Sequence, residues 1–145
     1  MHIRAMAASD EAEWRVLWEA YIAFQGGAVP PEVTNHTWHR MTQSVPRLIG
    51  RVAVSDEHVV GFTVSLLHEG TWAAAPYCYL EDLFVAEHAR GGGVGRAMID
   101  DLLTLGRTNG WARLYWHTRA GNADARRLYD RFSPADGDVR YRLDL

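Results

Sequence analysis

No lysine occurs among the 145 residues; all 15 basic side chains are arginine. That absence excludes a phosphate-binding loop closed by Gly-Lys, a pyridoxal Schiff base, and any lysine nucleophile or base. Cysteine is almost absent as well. Cys78 alone forms neither an intrachain disulfide nor a cysteine-based zinc cluster. It has no activating neighbour and reads as a small buried hydrophobe rather than a nucleophile. No apolar run approaches the ~20 residues that a membrane span needs, and the opening MHIRAMAASDEAEW has no signal-peptide core. A cytoplasmic protein with no membrane partner is expected. Net charge is −3, so nothing global supports a nucleic-acid partner. His36 and His39 could share a helical face, but no acidic or cysteine partner stands at ligand spacing, and no metal is expected.

What is present suits one folded domain over residues 1–145. Hydrophobic residues make up 48% and charged residues 23%, a globular profile, and a chain of this length buries roughly 70% of its unfolded surface. Charge is unevenly spread. Residues 1–89 carry five arginines against eleven acids, and residues 90–145 carry ten against seven. An acidic front and a basic back suit a cationic substrate and an anionic cofactor, and equally an ordinary solvated surface.

The opening HIRAM reads as a strand. Ser9 or Asp10 then starts a helix with the apolar stripe Trp14, Leu17, Trp18, Tyr21 and Phe24, ended by Gly26-Gly27. Pro30-Pro31 marks a loop, and a short helix over 35–43 turns Trp38 and Met41 inward. The tryptophans fit either the core or an aromatic wall of a substrate site. Residues 47–55 and 59–68 form a hairpin about a turn at 56–58. A loop over 70–76 leads to a strand over 77–85. A helix follows with Val94, Met98, Leu102 and Leu105 inward, closed by Asn109-Gly110. A strand over 111–118, a helix over 122–132 and a last strand over 139–145 complete the order. The layout β-α-α-β-β-β-α-β-α-β gives an α/β fold with a central mixed sheet flanked by helices.

The strongest chemical feature is Arg90-Gly91-Gly92-Gly93-Val94-Gly95-Arg96, between a strand and a helix. Glycines at a helix N-terminus offer bare N–H groups to an anion, and no Cβ bars its approach. Arg90 and Arg96 could fork onto phosphate oxygens. A plain flexible turn is the rival reading. A dinucleotide fingerprint counted from Gly91 fails because Arg96 stands where its last glycine should be.

These residues resemble the acetyl-CoA signature of the GCN5-related N-acetyltransferase superfamily, Arg/Gln-x-x-Gly-x-Gly/Ala, matched by Arg90, Gly93 and Gly95. Asn122-Ala123-Asp124-Ala125-Arg126-Arg127-Leu128-Tyr129 is similar to the family's Asn-x-x-Ala-x-x-Leu-Tyr segment. Leu80-Glu81-Asp82 before Phe84-Val85 looks like its polyamine and diamine acetyltransferase branch. The Gly-Phe that often follows the tyrosine in that family is replaced here by Phe132-Ser133-Pro134.

The resemblance implies the family's fold and acetyl transfer from acetyl-CoA to a primary amine, directly and without a metal. A polyamine, diamine or diamino acid is the favoured acceptor. Aminoglycosides, peptide N-termini, or a non-catalytic acyl-CoA-binding module are the alternatives. Tyr129 would be the acid that protonates the leaving thiolate; a core tyrosine is the rival reading. Glu81 would be the base, through water, with Asp82 and His117 as alternatives. A regular strand points neighbours to opposite faces and so admits only one of Glu81 and Asp82, although a bulge near Leu83, as in the family, would reset the phase. Leu83, Phe84 and Val85 would lend main-chain hydrogen bonds to the pantetheine, one N–H polarising the thioester carbonyl. Asn122 would bind it from the other side, and Gly91, Gly92 and Val94 complete the phosphate turn. Relatives often pair through C-terminal strands, so a homodimer is expected.

Overall fold

Tyr77–Val85 is the strand on which the molecule turns, because it is antiparallel to one neighbour and parallel to the other. The computed structural model describes residues 1–43 and 48–145. In chain order the elements are β1 (His2–Ala5), α1 (Glu11–Gln25), α2 (Pro31–Thr42), β2 (Leu48–Ser55), β3 (His58–His68), β4 (Tyr77–Val85), α3 (Val94–Asn109), β5 (Arg113–Trp116) and α4 (Ala123–Tyr129). The strands form one sheet in sequential order. The first four pair antiparallel, and β4 and β5 run parallel.

Both faces of the sheet are covered, which explains the near-continuous burial of β2 and β3. On one face Trp14, Leu17, Trp18, Trp38 and Met41 of α1 and α2 pack on Val52, Val54, Phe62, Val64 and Phe84. Trp14 lies 5.3 Å from Trp18 and 5.0 Å from Trp38 between ring centroids. The three tryptophans are therefore core, and burying each large apolar side chain contributes about 1.5–3 kcal/mol. On the other face α3 sets Val94, Met98, Ile99 and Leu102 against Ala53, Val60 and Leu80. Arg51 fastens β2 to α3 through a two-pronged bond to Asp101, 2.7 and 2.8 Å.

Several boundaries differ from the sequence reading. The second helix starts at Pro31, four residues before Asn35, because proline's fixed φ and missing N–H suit the first helical position. The hairpin turn is Asp56-Glu57, both left-handed, and His58 already belongs to β3. Arg47, expected to open β2, lies outside the described residues. The stripe of α1 runs out at its end: Phe24 is exposed. The last expected strand does not form. Val139, Tyr141, Leu143 and Leu145 are all exposed, since strand alternation stabilises nothing until a partner edge supplies hydrogen bonds and a face to bury. No helix is long and apolar enough to cross a membrane.

Candidate active site

The ladder between β4 and β5 ends at Leu80 and Trp116, while β4 continues to Val85. Among the described residues, 81–85 have no neighbour on that side. β5 ends at Trp116, so the β4 edge beyond Leu80 is left without a strand partner on that side, a gap in the ladder. This suits an extended amide-bearing chain, which can pair with an open strand edge.

A bulge sits at the head of the gap. Val64 pairs with Asp82 and Ser65 with Leu80, leaving Glu81 as the extra residue. The bulge shifts the alternation by one. Asp82 therefore points to the α1–α2 face with its register partner Val64, and Glu81 is the exposed, unpaired residue of the bulge. The strand is not regular there: the phase is reset at Glu81, two residues before the Leu83 position considered from the sequence. The Glu81 charge is close enough to raise Asp82, Tyr21, Tyr79 and Tyr115.

Asp82 is enclosed there. Tyr21 of α1 donates its hydroxyl to Asp82 Oδ1 at 2.7 Å, and Gln25 Nε2 donates to the Tyr21 oxygen at 3.1 Å. Burial pushes the Asp82 carboxyl up to about 6, helped by the Glu81 charge and opposed by the Tyr21 bond. Burial and the Asp82 charge lift the Tyr21 phenol well above its ordinary range. Beyond the bulge, Tyr79 and Tyr115 lie 5.1 Å apart, with His117 at 5.4 Å from Tyr79. His117 Nδ1 stands 3.3 Å from the Tyr79 hydroxyl. This histidine lies just beyond the end of β5.

Across the gap, α3 begins at the glycine turn. Gly91 and Gly93 have φ of 79° and 84°, and a Cβ on either would meet nothing within 4 Å. Gly93 caps α3 without a side-chain bond, so the first N–H groups of the helix are available to an anion. The flanking residues divide unevenly. Arg90 is tied down, donating Nε to the Val85 carbonyl at 3.0 Å and lying over the rings of Phe84 and Phe24. Arg96 has only a loose 3.6 Å contact with Asp100 and is 60% exposed. Val94 is core. Leu83 and Val85 pack toward α3 and Phe84 toward α1, so these three offer the gap only their main chain.

Asn122 caps α4, its Oδ1 accepting from the Ala125 N–H at 3.3 Å. The amide nitrogen stays free to donate. Tyr129 packs edge-on against Trp116 at 5.4 Å within the apolar cluster of Leu80 and Leu128. The ring is half-buried, and burial raises its phenol, keeping the hydroxyl a neutral donor. Arg126 and Arg127 bind the Ala120 carbonyl and Asp124. Cys78 is buried, its thiol pushed up to about 11, and inert as a nucleophile. Among the described residues no cluster of His, Cys, Asp and Glu could hold a metal ion.

Three site residues escaped the sequence reading. Tyr21 looked like one more apolar position of α1. Gln25 and Arg119 carried no signal, yet Arg119 Nη2 reaches from the β5–α4 connection to the Gln25 carbonyl at 2.9 Å. Only the fold brings them to Asp82.

The profile of the acetyltransferase (GNAT) family matches residues 11–133. Over 142 residues the chain is 32% identical to a D-amino-acid N-acetyltransferase (HPA3) of Saccharomyces cerevisiae, covering 97% of this chain and 88% of that protein. The fold is similar to an aminoglycoside acetyltransferase from an uncultured soil metagenomic sample, with TM-score 0.82, 19% identity, and 99% and 95% of the two chains covered. It is similar also to a ribosomal-protein-alanine N-acetyltransferase from Brucella melitensis biovar Abortus 2308, with TM-score 0.82, 19% identity and both chains covered in full. The open β4 edge, the glycine turn at the start of α3 and these likenesses agree: the chain belongs to the acetyltransferase (GNAT) family, and acetyl transfer is its chemistry.

Proposed function

We propose that the protein transfers the acetyl group of acetyl-CoA directly to a primary amine of a small molecule. The observation that carries this reading is the open β4 edge beyond Leu80, with the Glu81–Asp82 bulge at its head and Tyr129 and the α3 N-terminus beside it. The turn 90–96 would hold the phosphates on the N–H groups of α3, with Arg96 free to add a side chain. The edge 83–85 and Asn122 would hold the pantetheine amides, one strand N–H polarising the thioester carbonyl. The bound thioester supplies an activated acyl carbon. An alkylammonium titrates near ~10 and must lose a proton before it attacks. The bulge carboxylates supply that base, Glu81 from the solvent side through water or Asp82 from within. The Tyr129 hydroxyl protonates the departing sulfur.

The acidic bulge favours an acceptor with a second positive charge: a polyamine, diamine or diamino acid. The D-amino-acid relative supports an amino-acid acceptor, and a diamino acid satisfies both. Thiol release from acetyl-CoA, measured with diamines, polyamines, both enantiomers of neutral and diamino acids, an aminoglycoside and an N-terminal peptide, tests the reading. CoA binding without turnover of any amine would leave only an acyl-CoA-binding module. The cytoplasmic setting expected from the sequence belongs to the same reading.

A homodimer is part of this proposal. Val139, Tyr141, Leu143 and Leu145 alternate on an exposed segment, and among the described residues β5 has an unpaired outer edge. A second copy offers each what it lacks, main-chain partners and an apolar face. Sedimentation should give twice the chain mass, and Tyr141→Asp with Leu143→Asp should return it to the monomer. A wild type that sediments as a monomer at micromolar concentration overturns the dimer.

A further inference from the structure

We infer that Tyr21 is a positioning residue that holds Asp82, rather than Glu81, as the group that takes the acceptor's proton. The inference rests on the acetyl-transfer reading and assigns the roles within it.

The hydrogen-bond logic is closed. An ionised carboxylate only accepts, so the 2.7 Å contact at Oδ1 is donated by the Tyr21 hydroxyl. That spends its one hydrogen. Gln25 must then donate to the Tyr21 oxygen with its amide nitrogen, as the 3.1 Å contact shows, and the phenol cannot turn its hydrogen elsewhere without losing both bonds. Tyr21 cannot swing away either. Its ring is wedged among Trp18, Phe62 and Phe84 with centroids 5.7, 6.0 and 5.8 Å away. Arg119, bonded to the Gln25 carbonyl, anchors the last turn of α1 to the far side of the gap. A rigid element thus fixes Oδ1 and leaves Oδ2 for the acceptor.

Glu81 differs in kind. It is the exposed member of the bulge and no helix encloses it. The charged and titratable groups facing Asp82 are Tyr21 from α1 and Glu81 and Tyr79 from β4, while β3 opposes it with the apolar Val64. Enclosure raises the basicity of Asp82 and the Glu81 charge raises it further, whereas the Tyr21 bond keeps it ionised near neutrality. A general base works best with a pKa close to the operating pH. The step balances. The ammonium passes a proton to Asp82 Oδ2, and the freed nitrogen pair forms the C–N bond at the acetyl carbon. The C–S bond breaks with its pair on sulfur, which takes the Tyr129 proton. The nitrogen gives up its second proton to solvent as the amide forms. The proton held by Asp82 passes through solvent to the tyrosinate, so that one proton is released per turnover.

The test is kcat/KM against pH for wild type, Asp82→Asn, Glu81→Gln and Tyr21→Phe, with an amine that the wild type acetylates. Asp82→Asn should lose about 100-fold or more near neutral pH, the deficit shrinking as the acceptor deprotonates by itself toward ~10. Tyr21→Phe removes the bond that favours the ionised carboxylate, so its acidic limb should move to higher pH, with activity recovered in alkali. Glu81→Gln removes a like charge, so its limb should move to lower pH. Carbon-13 titration of the Asp82 carboxyl gives a readout independent of turnover, with the midpoint higher in Tyr21→Phe than in wild type. A Tyr21→Phe limb and carboxyl midpoint that both match wild type overturn the assignment, as does a larger loss in Glu81→Gln than in Asp82→Asn. A wild type inactive on every amine overturns the acetyl-transfer reading instead.

Discussion

Gly95, in the first turn of α3, lies so close to Leu128 of α4 that a Cβ there would stand 3.1 Å from the leucine Cδ2. This glycine thus serves helix packing, and through Leu128 it adjoins the proposed acid Tyr129. Gly95→Val should push α4 outward, lower stability by about 1–3 kcal/mol and reduce turnover. Denaturant unfolding checks the first and steady-state assay the second. Gly91→Ala has open space and only a left-handed backbone to bear, about 1–2 kcal/mol, and should keep more activity.

Gly93→Glu places an anionic side chain at the N-terminus of α3, where the phosphates would meet bare N–H groups. Calorimetry should show CoA affinity lost while the far-ultraviolet circular dichroism stays that of wild type. Near-native affinity in the folded variant would remove residues 90–96 from the cofactor site.

Tyr129→Phe keeps the ring that packs on Trp116 and deletes the hydroxyl. Turnover should fall roughly 100-fold, the scale of a lost general acid, with little change in melting temperature. Unchanged turnover with a marked loss of stability would leave Tyr129 as a core residue only.

Substrate charge should matter. Diamines should show higher kcat/KM than aspartate or glutamate as acceptors, and the advantage should shrink as salt screens the carboxylates of the bulge. A matched panel at low and high ionic strength measures it. Equal rates would mean that the acidic front half is ordinary solvated surface.

Arg4 and Asp10 share a two-pronged bond of 2.6 and 2.7 Å, and the Ala7 N–H also donates to Asp10. The arginine holds the Asp10 carboxyl below its usual value. A lowered carboxylate pKa stabilises the fold above the unfolded value and stops doing so as pH falls through the folded one. Asp10→Asn should therefore cost about 1–2 kcal/mol at neutral pH, after solvent screening of the half-open arginine. The gap to wild type should close below roughly pH 4. Urea unfolding across pH follows it.

The chain wrote its own elements legibly because periodicity is local. The stripe from Trp14, the hairpin about Asp56-Glu57 and the strand over 77–85 each reflect neighbours a few residues apart. The glycine turn and the Asn122–Tyr129 segment were legible for the same reason, as contiguous motifs. Tertiary structure alone decided the rest. The bulge at Glu81 exists because β3 and β4 slip by one residue between Val64 and Ser65, which no alternation within β4 can register. The Tyr21–Asp82 bond spans 61 positions, and a tyrosine in an apolar stripe gives no hint of the carboxylate it will meet. The segment 139–145 errs in the opposite sense. Its alternation is strand-like, but a strand is a property of two edges, and the sequence specifies only one of them.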